Sequence, residues 1–417
     1  MNTQSTDDIQ LPDTADELVA MLSTERGRAD PYPVYARLRE LAPVHRAKNG
    51  AVFLTGYDDC VTVTRDPVFR AQGPEWMDTI NPNWRARPGK VATIESMLFR
   101  DPPDHTRLRR LVSSTFTVRR LAALQGDIDR LVQAGLDAIA DAGRDGGVLD
   151  LHQVVCDTLP ISVIGTMVGV PEADWSVLQE SMTAMMQVVE LSVNQQMLDA
   201  ADRGADRLME YFAGLVAERR RQPREDLASA LVTVRDGSAE EGALTEVELL
   251  QTLILLFMAG VDTMVNHLCN GTLALLEHPE QLAALRADPG LAAGAVEELM
   301  RYDAPIQIMG RVVGADMEFG GLDLSAGNLL ICLLGAANRD PARFAEPDRL
   351  DLARTGMTAL GFGGGMHYCL GAPLARMESA AFFPALLARF PKLAVAAPPV
   401  RRGLVFRSFA ELPVTVG

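Results

Sequence analysis

No CxxC occurs in the chain, and its five cysteines, Cys60, Cys156, Cys269, Cys332 and Cys369, are odd in number and far apart. Neither a disulfide framework nor a structural zinc site is expected, and a reducing cytoplasm fits best. The opening MNTQSTDDIQLPDTADEL lacks a basic n-region and an apolar h-region, so no secretory signal is expected. Long apolar runs are missing too. The most apolar one, Leu249 to Val261, is broken at Gln251 and Thr252 and meets Asp262, short of a membrane span. Basic residues are the minority: 39 Lys+Arg against 55 Asp+Glu give a net charge of −16, a field that repels phosphate backbones and anionic lipid. Nucleic acid and membrane are therefore not expected partners. Also absent are GxxxxGK[ST], HExxH and GxSxG, and no internal repeat or low-complexity linker marks a domain boundary.

What is present is an ordinary globular composition, 48% hydrophobic and 23% charged over 417 residues, which length alone would divide into two or three domains. Residues 1–28 read as a loose acidic lead-in. Asn49-Gly50 separates two strand-like runs within Val44–Tyr57, as in a type I′ hairpin. Phe69–Ser96, with Gly73, Pro74, Pro82 and Pro88 beside Trp76 and Trp84, reads as a long irregular binding loop. Helical periodicity runs from Arg107 to Val170 and from Trp175 to Arg221; the second stretch carries Met182, Met185, Met186, Met197 and Met209, read as core filler or as an adaptable apolar wall. Asp236–Ala243 reads as a surface loop. Thr245-x-x-Glu248 is a capping box, and no proline follows until Pro279, so a central helix of roughly 50 Å is expected. Short strands around Arg311–Val313 and Met317–Phe319, a helical stretch near Leu329–Ala337 and a final helix Leu370–Phe390 complete the reading.

The chemistry concentrates in Gly361–Arg376, GFGGGMHYCLGAPLAR. Its glycines let backbone approach something flat, and Cys369 immediately precedes a helix, where amides and dipole favour a thiolate. A lone cysteine there is as readily a buried structural thiol. The whole pattern, Phe362-Gly363-x-Gly365-x-His367-x-Cys369-x-Gly371-x-x-Leu374-Ala375-Arg376, resembles the haem-binding signature of the cytochrome P450 family. That resemblance implies that Cys369 is the proximal iron ligand and that Phe362 lies against the haem.

Three further motifs follow the family's order. Glu298-Leu299-Met300-Arg301 is similar to its ExxR, implying a buried structural network with Arg349 of Phe344-x-x-Pro347-x-Arg349. Ala259-Gly260-Val261-Asp262-Thr263 is similar to its oxygen-activation motif. By that resemblance Gly260 opens space beside the iron, Asp262 relays protons, and Thr263 hydrogen-bonds dioxygen or water; Met264 stands where a second threonine is frequent. A threonine in a helix also bonds back to its own backbone. Asp101-Pro102-Pro103-Asp104-His105-Thr106-Arg107-Leu108-Arg109 looks like the bacterial segment that holds a haem propionate through His105 and Arg109, with Arg311 and His367 as further contacts. Asp101–Gln125 carries five arginines, Arg107, Arg109, Arg110, Arg119 and Arg120, against Asp101 and Asp104. In the family this helix lies on the proximal face, so an acidic ferredoxin is expected to dock there.

The resemblance spans roughly Pro31 to the C-terminus. It implies a mainly α fold with small β-sheets, one domain (29–417) enclosing one haem b, iron protoporphyrin IX. Cys369 and Gly371 belong to the haem loop. The implied activity is an O2-dependent monooxygenase supplied from NAD(P)H through a ferredoxin reductase and ferredoxin. Its expected substrate is a sizeable lipophilic molecule such as a macrolide or polyketide, hydroxylated or else epoxidised, demethylated or coupled. A non-catalytic accessory role would not need the intact Cys369 and Asp262-Thr263.

Overall fold

The computed structural model describes residues 11–190, 193–236, 243–356 and 358–417. Two short helices open it, α1 (Ala15–Leu22) and α2 (Glu25–Ala29), N-capped by the hydroxyls of Thr14 and Thr24. Leu18 and Leu22 are fully buried against α3 (Tyr32–Leu41), so this part of the expected loose lead-in is instead packed core. Residues 1–10 of that lead-in lie outside the described residues. After α4 (Tyr57–Arg65), the segment read as an irregular loop contains α5 (Pro74–Ile80) and α6 (Pro88–Ile94). Each begins on a proline, which tolerates the first helical turn because its missing N–H would be unpaired there anyway.

Helices α7 (Asp104–Ser113), α8 (Val118–Ala123), α9 (Gln125–Ala142) and α10 (Leu159–Val168) fill the first periodic stretch. The second holds α11 (Trp175–Met186) and α12 (Gln195–Arg221), followed by α13 (Leu227–Asp236). Met182 and Met185 are buried as core filler. Of the expected loop at Asp236–Ala243, residues 237–242 lie outside the described residues.

The long helix α14 (Glu246–Glu277) has both halves of its capping box. Among the described residues it is the one helix long and apolar enough to cross a membrane, and it is wrapped by protein. Helices α10 to α13 pack on it, and so do α15 (Pro279–Ala287), α16 (Ala292–Tyr302) and, beyond the short α17 (Leu334–Ala337), α18 (Ala372–Arg389).

The sheets are small. Strands β1 (Val44–Arg46), β2 (Val52–Leu54), β3 (Phe69–Arg70), β5 (Ile308–Val313) and β8 (Leu329–Leu333) form one sheet in the order β1-β2-β8-β5-β3, after β4 (Leu149–Asp150), β6 (Met317–Phe319) and β7 (Leu322–Leu324) are set apart. The stretch expected to be helical from Leu329 is thus a buried strand that turns into α17 only at Leu334. At the β1–β2 turn only Gly50 has positive φ, so the hairpin closes through a tight turn from Ala47 to Gly50 rather than type I′. Strand β4 pairs with β12 (Pro413–Thr415), which also pairs with β9 (Ala394–Val395), while β10 (Val400–Arg402) pairs with β11 (Ser408–Glu411). Cys60 with Cys332, and Cys156 with Cys269, are buried thiol pairs.

Candidate active site

Cys369 ends a loop laid against α4. Gly365 has φ +61, and a Cβ there would sit 2.4 Å from the Thr64 carbonyl, so glycine is required for the loop to approach. The Cys369 N–H donates to Phe362 O at 2.9 Å, which holds the buried Phe362 ring near the cysteine, with the Arg376 guanidinium 4.6 Å from the ring centre. Cys369 is exposed as a residue, yet protein surrounds its thiol closely enough to desolvate it. That burial raises the thiol pKa, against the lowering effect of the Gly371 and Ala372 amides and of Arg109 and Arg376. The helix terminus alone therefore does not make the stable thiolate expected from sequence; a cation on the sulfur would, because a coordinating thiol is deprotonated outright.

Beside the cysteine, α7 and β5 bring together donors that lack an acid. The His105 and His367 rings are 4.2 Å apart. His105 Nδ1 and His367 Nε2 are buried without a hydrogen-bond partner. Arg311, nearly buried, donates to the carbonyl of its own neighbour Gly310, and Arg109 donates to Tyr368 O at 2.6 Å. Burial and the two guanidiniums lower the pKa of both rings, His367 to about 3. Four donors crowded in this way call for an anion with several acceptor atoms.

On α14, burial is nearly continuous except at Ala259, Gly260, Asp262 and Thr263, where the helix is reachable. Thr263 Oγ1 donates to Ala259 O at 2.7 Å, which leaves its lone pairs to accept. Asp262 Oδ2 is buried and unpartnered, and burial raises the carboxyl to about 7. A Cβ at Gly260 would lie 2.8 Å from Ile164 Cδ1, so its smallness lets α10 close on α14.

The ExxR pair is fully buried, with Arg301 donating to Glu298 at 2.7 and 2.8 Å. The expected third member is corrected. The Arg349 side chain is 57% exposed and pairs with Glu346, contributing only its carbonyl to Arg301. It is Arg354 that reaches Glu298, at 3.2 Å, because the loop after Arg349 turns back inward. A further residue that the motifs did not indicate is Glu190, just beyond α11. Its carboxylate accepts from the N–H groups of Leu404, Val405 and Phe406, each at 3.2 Å.

Residues 48–289 and 291–397 match the family model for Cytochrome P450. The chain is a cytochrome P450. It is 39% identical over 373 residues to "Cytochrome P450 monooxygenase PikC" of Streptomyces venezuelae, covering 88% of this chain and 85% of the relative. It is 35% identical over 405 residues to "Polyketide biosynthesis cytochrome P450 PksS" of Bacillus subtilis (strain 168), covering 93% and 96%. The econazole-bound crystal structure of CYP164A2 from Mycobacterium smegmatis superposes with a TM-score of 0.87 at 35% identity, covering 96% of this chain and 100% of that one. The P450 is thus a monooxygenase whose fold is mainly helical around a single haem cofactor. The donor set fits that group: an exposed cysteine on one side, and on the other two imidazole nitrogens without partners beside Arg109 and Arg311, which reach only backbone carbonyls and could hold carboxylates.

Proposed function

We propose that this P450, one domain that takes in α1 and α2 as well as the rest of the described fold, hydroxylates a sizeable lipophilic secondary metabolite, a macrolide or other polyketide. Cys369 is the residue that holds the iron of haem b, and His105, Arg109, Arg311 and His367 hold its propionates. The single observation that carries this reading is the exposed Cys369 beside four donors, none of which forms an ion pair with a carboxylate among the described residues. Phe362 braces the cysteine loop through its carbonyl, and Gly371 supplies an amide toward the sulfur. When bound, haem supplies the activation of O2 from which one oxygen atom enters the substrate. Asp262 is suited to carry a proton at neutral pH, and Thr263 is suited to accept a hydrogen bond at the same place on α14.

The substrate wall is read from Met186, Val189, Ile306, Met309, Val405 and Phe406, all half-buried and apolar; Phe406 bridges Ile306, and Glu190 ties the first of these segments to the last. PksS, named for polyketide biosynthesis, supports the same class. Electrons reach the enzyme from NAD(P)H through a ferredoxin reductase and ferredoxin in the cytoplasm. Docking falls to Arg110 and Arg119, which are exposed, since Arg107 pairs with Glu248, Arg109 with Tyr368 O and Arg120 with Thr115 O. The reduced, carbon-monoxide-bound protein should show the red-shifted Soret band of thiolate ligation and Cys369→Ala should lose it; a wild type without that band refutes the site. A spin-state titration across macrolides and other polyketides, followed by product analysis with a reconstituted ferredoxin, tests the substrate class. No shift with any of them would overturn it.

A further inference from the structure

Glu190 stands where the chain leaves helical geometry. The short 3₁₀ turn Gln187–Val189 continues α11, and at Glu190 the backbone becomes extended, with φ −69 and ψ 152. The side chain reaches across to the turn between β10 and β11, where its two oxygens share three donors. Oε2 accepts from the N–H groups of Leu404 and Val405, and Oε1 from that of Phe406. Consecutive amides aimed at one point form an anion-binding concavity. Gly403 opens it, and a Cβ there would come 3.1 Å from Glu190 Oε1. No guanidinium or ammonium is among these partners, so the main chain of the turn holds the carboxylate.

The opposite edge of the same turn is fastened differently. The Gln307 N–H donates to Val405 O at 2.9 Å, the Arg407 N–H donates to Pro305 O at 2.8 Å, and Ile306 pairs with Phe406. Behind them the Arg407 guanidinium donates to the buried Asp303 at 2.9 Å and to Arg28 O at 2.6 Å. The turn and the segment around Ile306 are thus tied as one unit. Met186 and Val189 belong to another. Among the described residues, the three bonds of Glu190 are the hydrogen bonds that join the end of α11 to the turn.

We propose that Glu190 is the residue that positions substrate in this P450. The inference rests on the reading of the substrate wall given above. By filling the concavity at 404–406, its carboxylate sets the separation between Met186 and Val189 on one side and Val405 and Phe406 on the other. That separation decides how firmly a lipophilic molecule is held and which of its C–H groups is presented for hydroxylation. Glu190 acts through the turn it holds, not on the reacting atoms. Its charge matters because hydrogen bonds to an ionised acceptor are roughly twice as strong as those to a neutral one.

The test uses the haem-loaded enzyme, with econazole as a bulky lipophilic probe. In Glu190→Ala the carbon-monoxide Soret band should be unchanged, while econazole should dissociate about tenfold faster, the loss expected when a charged hydrogen-bonded tie is cut. Sodium formate should restore most of the residence time, because formate fits the vacated amides, and sodium chloride at the same ionic strength should not. Glu190→Gln offers one accepting oxygen and sets its NH2 against a donor, so it should fall between wild type and Glu190→Ala. With the polyketide that gives the largest spin shift in the wild type, KM should rise about tenfold with kcat little changed, and hydroxylation should spread over more positions. Econazole leaving Glu190→Ala at the wild-type rate overturns the proposal. So does a faster rate that formate does not slow, since that marks general loosening. If the alanine variant does not load haem, Glu190→Gln decides: a wild-type rate overturns the proposal and a faster one supports it. If no polyketide shifts the wild type, the substrate class fails, and the econazole measurements still judge Glu190.

Discussion

Replacing Arg354 with alanine should destabilise the haem-loaded enzyme far more than replacing Arg349. The Glu298 carboxylate is wholly buried and accepts from Arg301, from the Asp351 N–H at 2.9 Å and from Arg354. Arg354 also donates to Ala345 O at 2.8 Å and to Arg349 O at 3.2 Å, which pins the chain beneath the cysteine loop. A hydrogen bond to a charged group is worth about 1.5–3 kcal/mol, and stripping one partner from a buried pair costs about 3–5 kcal/mol. Glu298 keeps Arg301 in the variant, so a loss of about 2–3 kcal/mol is expected. Arg349→Ala removes a solvent-exposed contact to Glu346, worth about 1 kcal/mol or less, and leaves in place the carbonyl that Arg301 uses. Urea unfolding measures both: the midpoint should fall clearly for Arg354→Ala and hardly at all for Arg349→Ala, with similar slopes. An Arg349→Ala loss as large as that of Arg354→Ala would refute the assignment.

Three other outcomes follow from the geometry. Gly365→Ala imposes positive φ on a side chain and sets its Cβ against Thr64 O, so the purified protein should retain less haem, read as the ratio of Soret to protein absorbance; undiminished loading would show that the loop tolerates the shift. Asp303, buried with Arg401 and Arg407, titrates near 2 against an ordinary 3.8. Its contribution, about 2 kcal/mol, is fully present above pH 4 and fades as pH falls toward 2, and Asp303→Asn should flatten the stability profile in that window. His267 is fully buried with neither ring nitrogen hydrogen-bonded, and burial lowers it to about 3. Since it meets Phe383 edge-on, His267→Phe should raise the thermal midpoint, by an amount corresponding to roughly 1–2 kcal/mol; a fall of that size would mean that the nitrogens have partners.

The features legible in the sequence were those set by local spacing. Thr245-x-x-Glu248 specifies where α14 starts, Glu298 and Arg301 share a helix face, and the glycines ahead of Cys369 mark a close backbone approach. Legibility ended where a loop decides which side chain turns inward, as with Arg354 over Arg349, and where a missing side chain serves a neighbouring helix, as with Gly260 and Ile164. The prolines at 74 and 88 suggest breaks in a loop, although each opens a helix. Thr14-x-x-Glu17 is a start signal of the same kind as Thr245's, inside the stretch expected to be a loose lead-in. Glu190 had no signal at all, because its partners are backbone amides more than 200 residues away.

That last contact bears on how such an enzyme can change. Because Glu190 reads only main-chain N–H groups, the half-buried Val405 and Phe406 can exchange their side chains without loosening the tie, whereas Leu404 is held by the core. Gly403 is a second exception, with φ +74 and a Cβ that would lie 2.4 Å from Phe406 O. On the proposed substrate wall, the turn thus separates how the wall is held from what it presents, so substrate preference can drift at two adjacent positions while the architecture stays put. For directed evolution, those positions are where libraries should lose the fewest folded members.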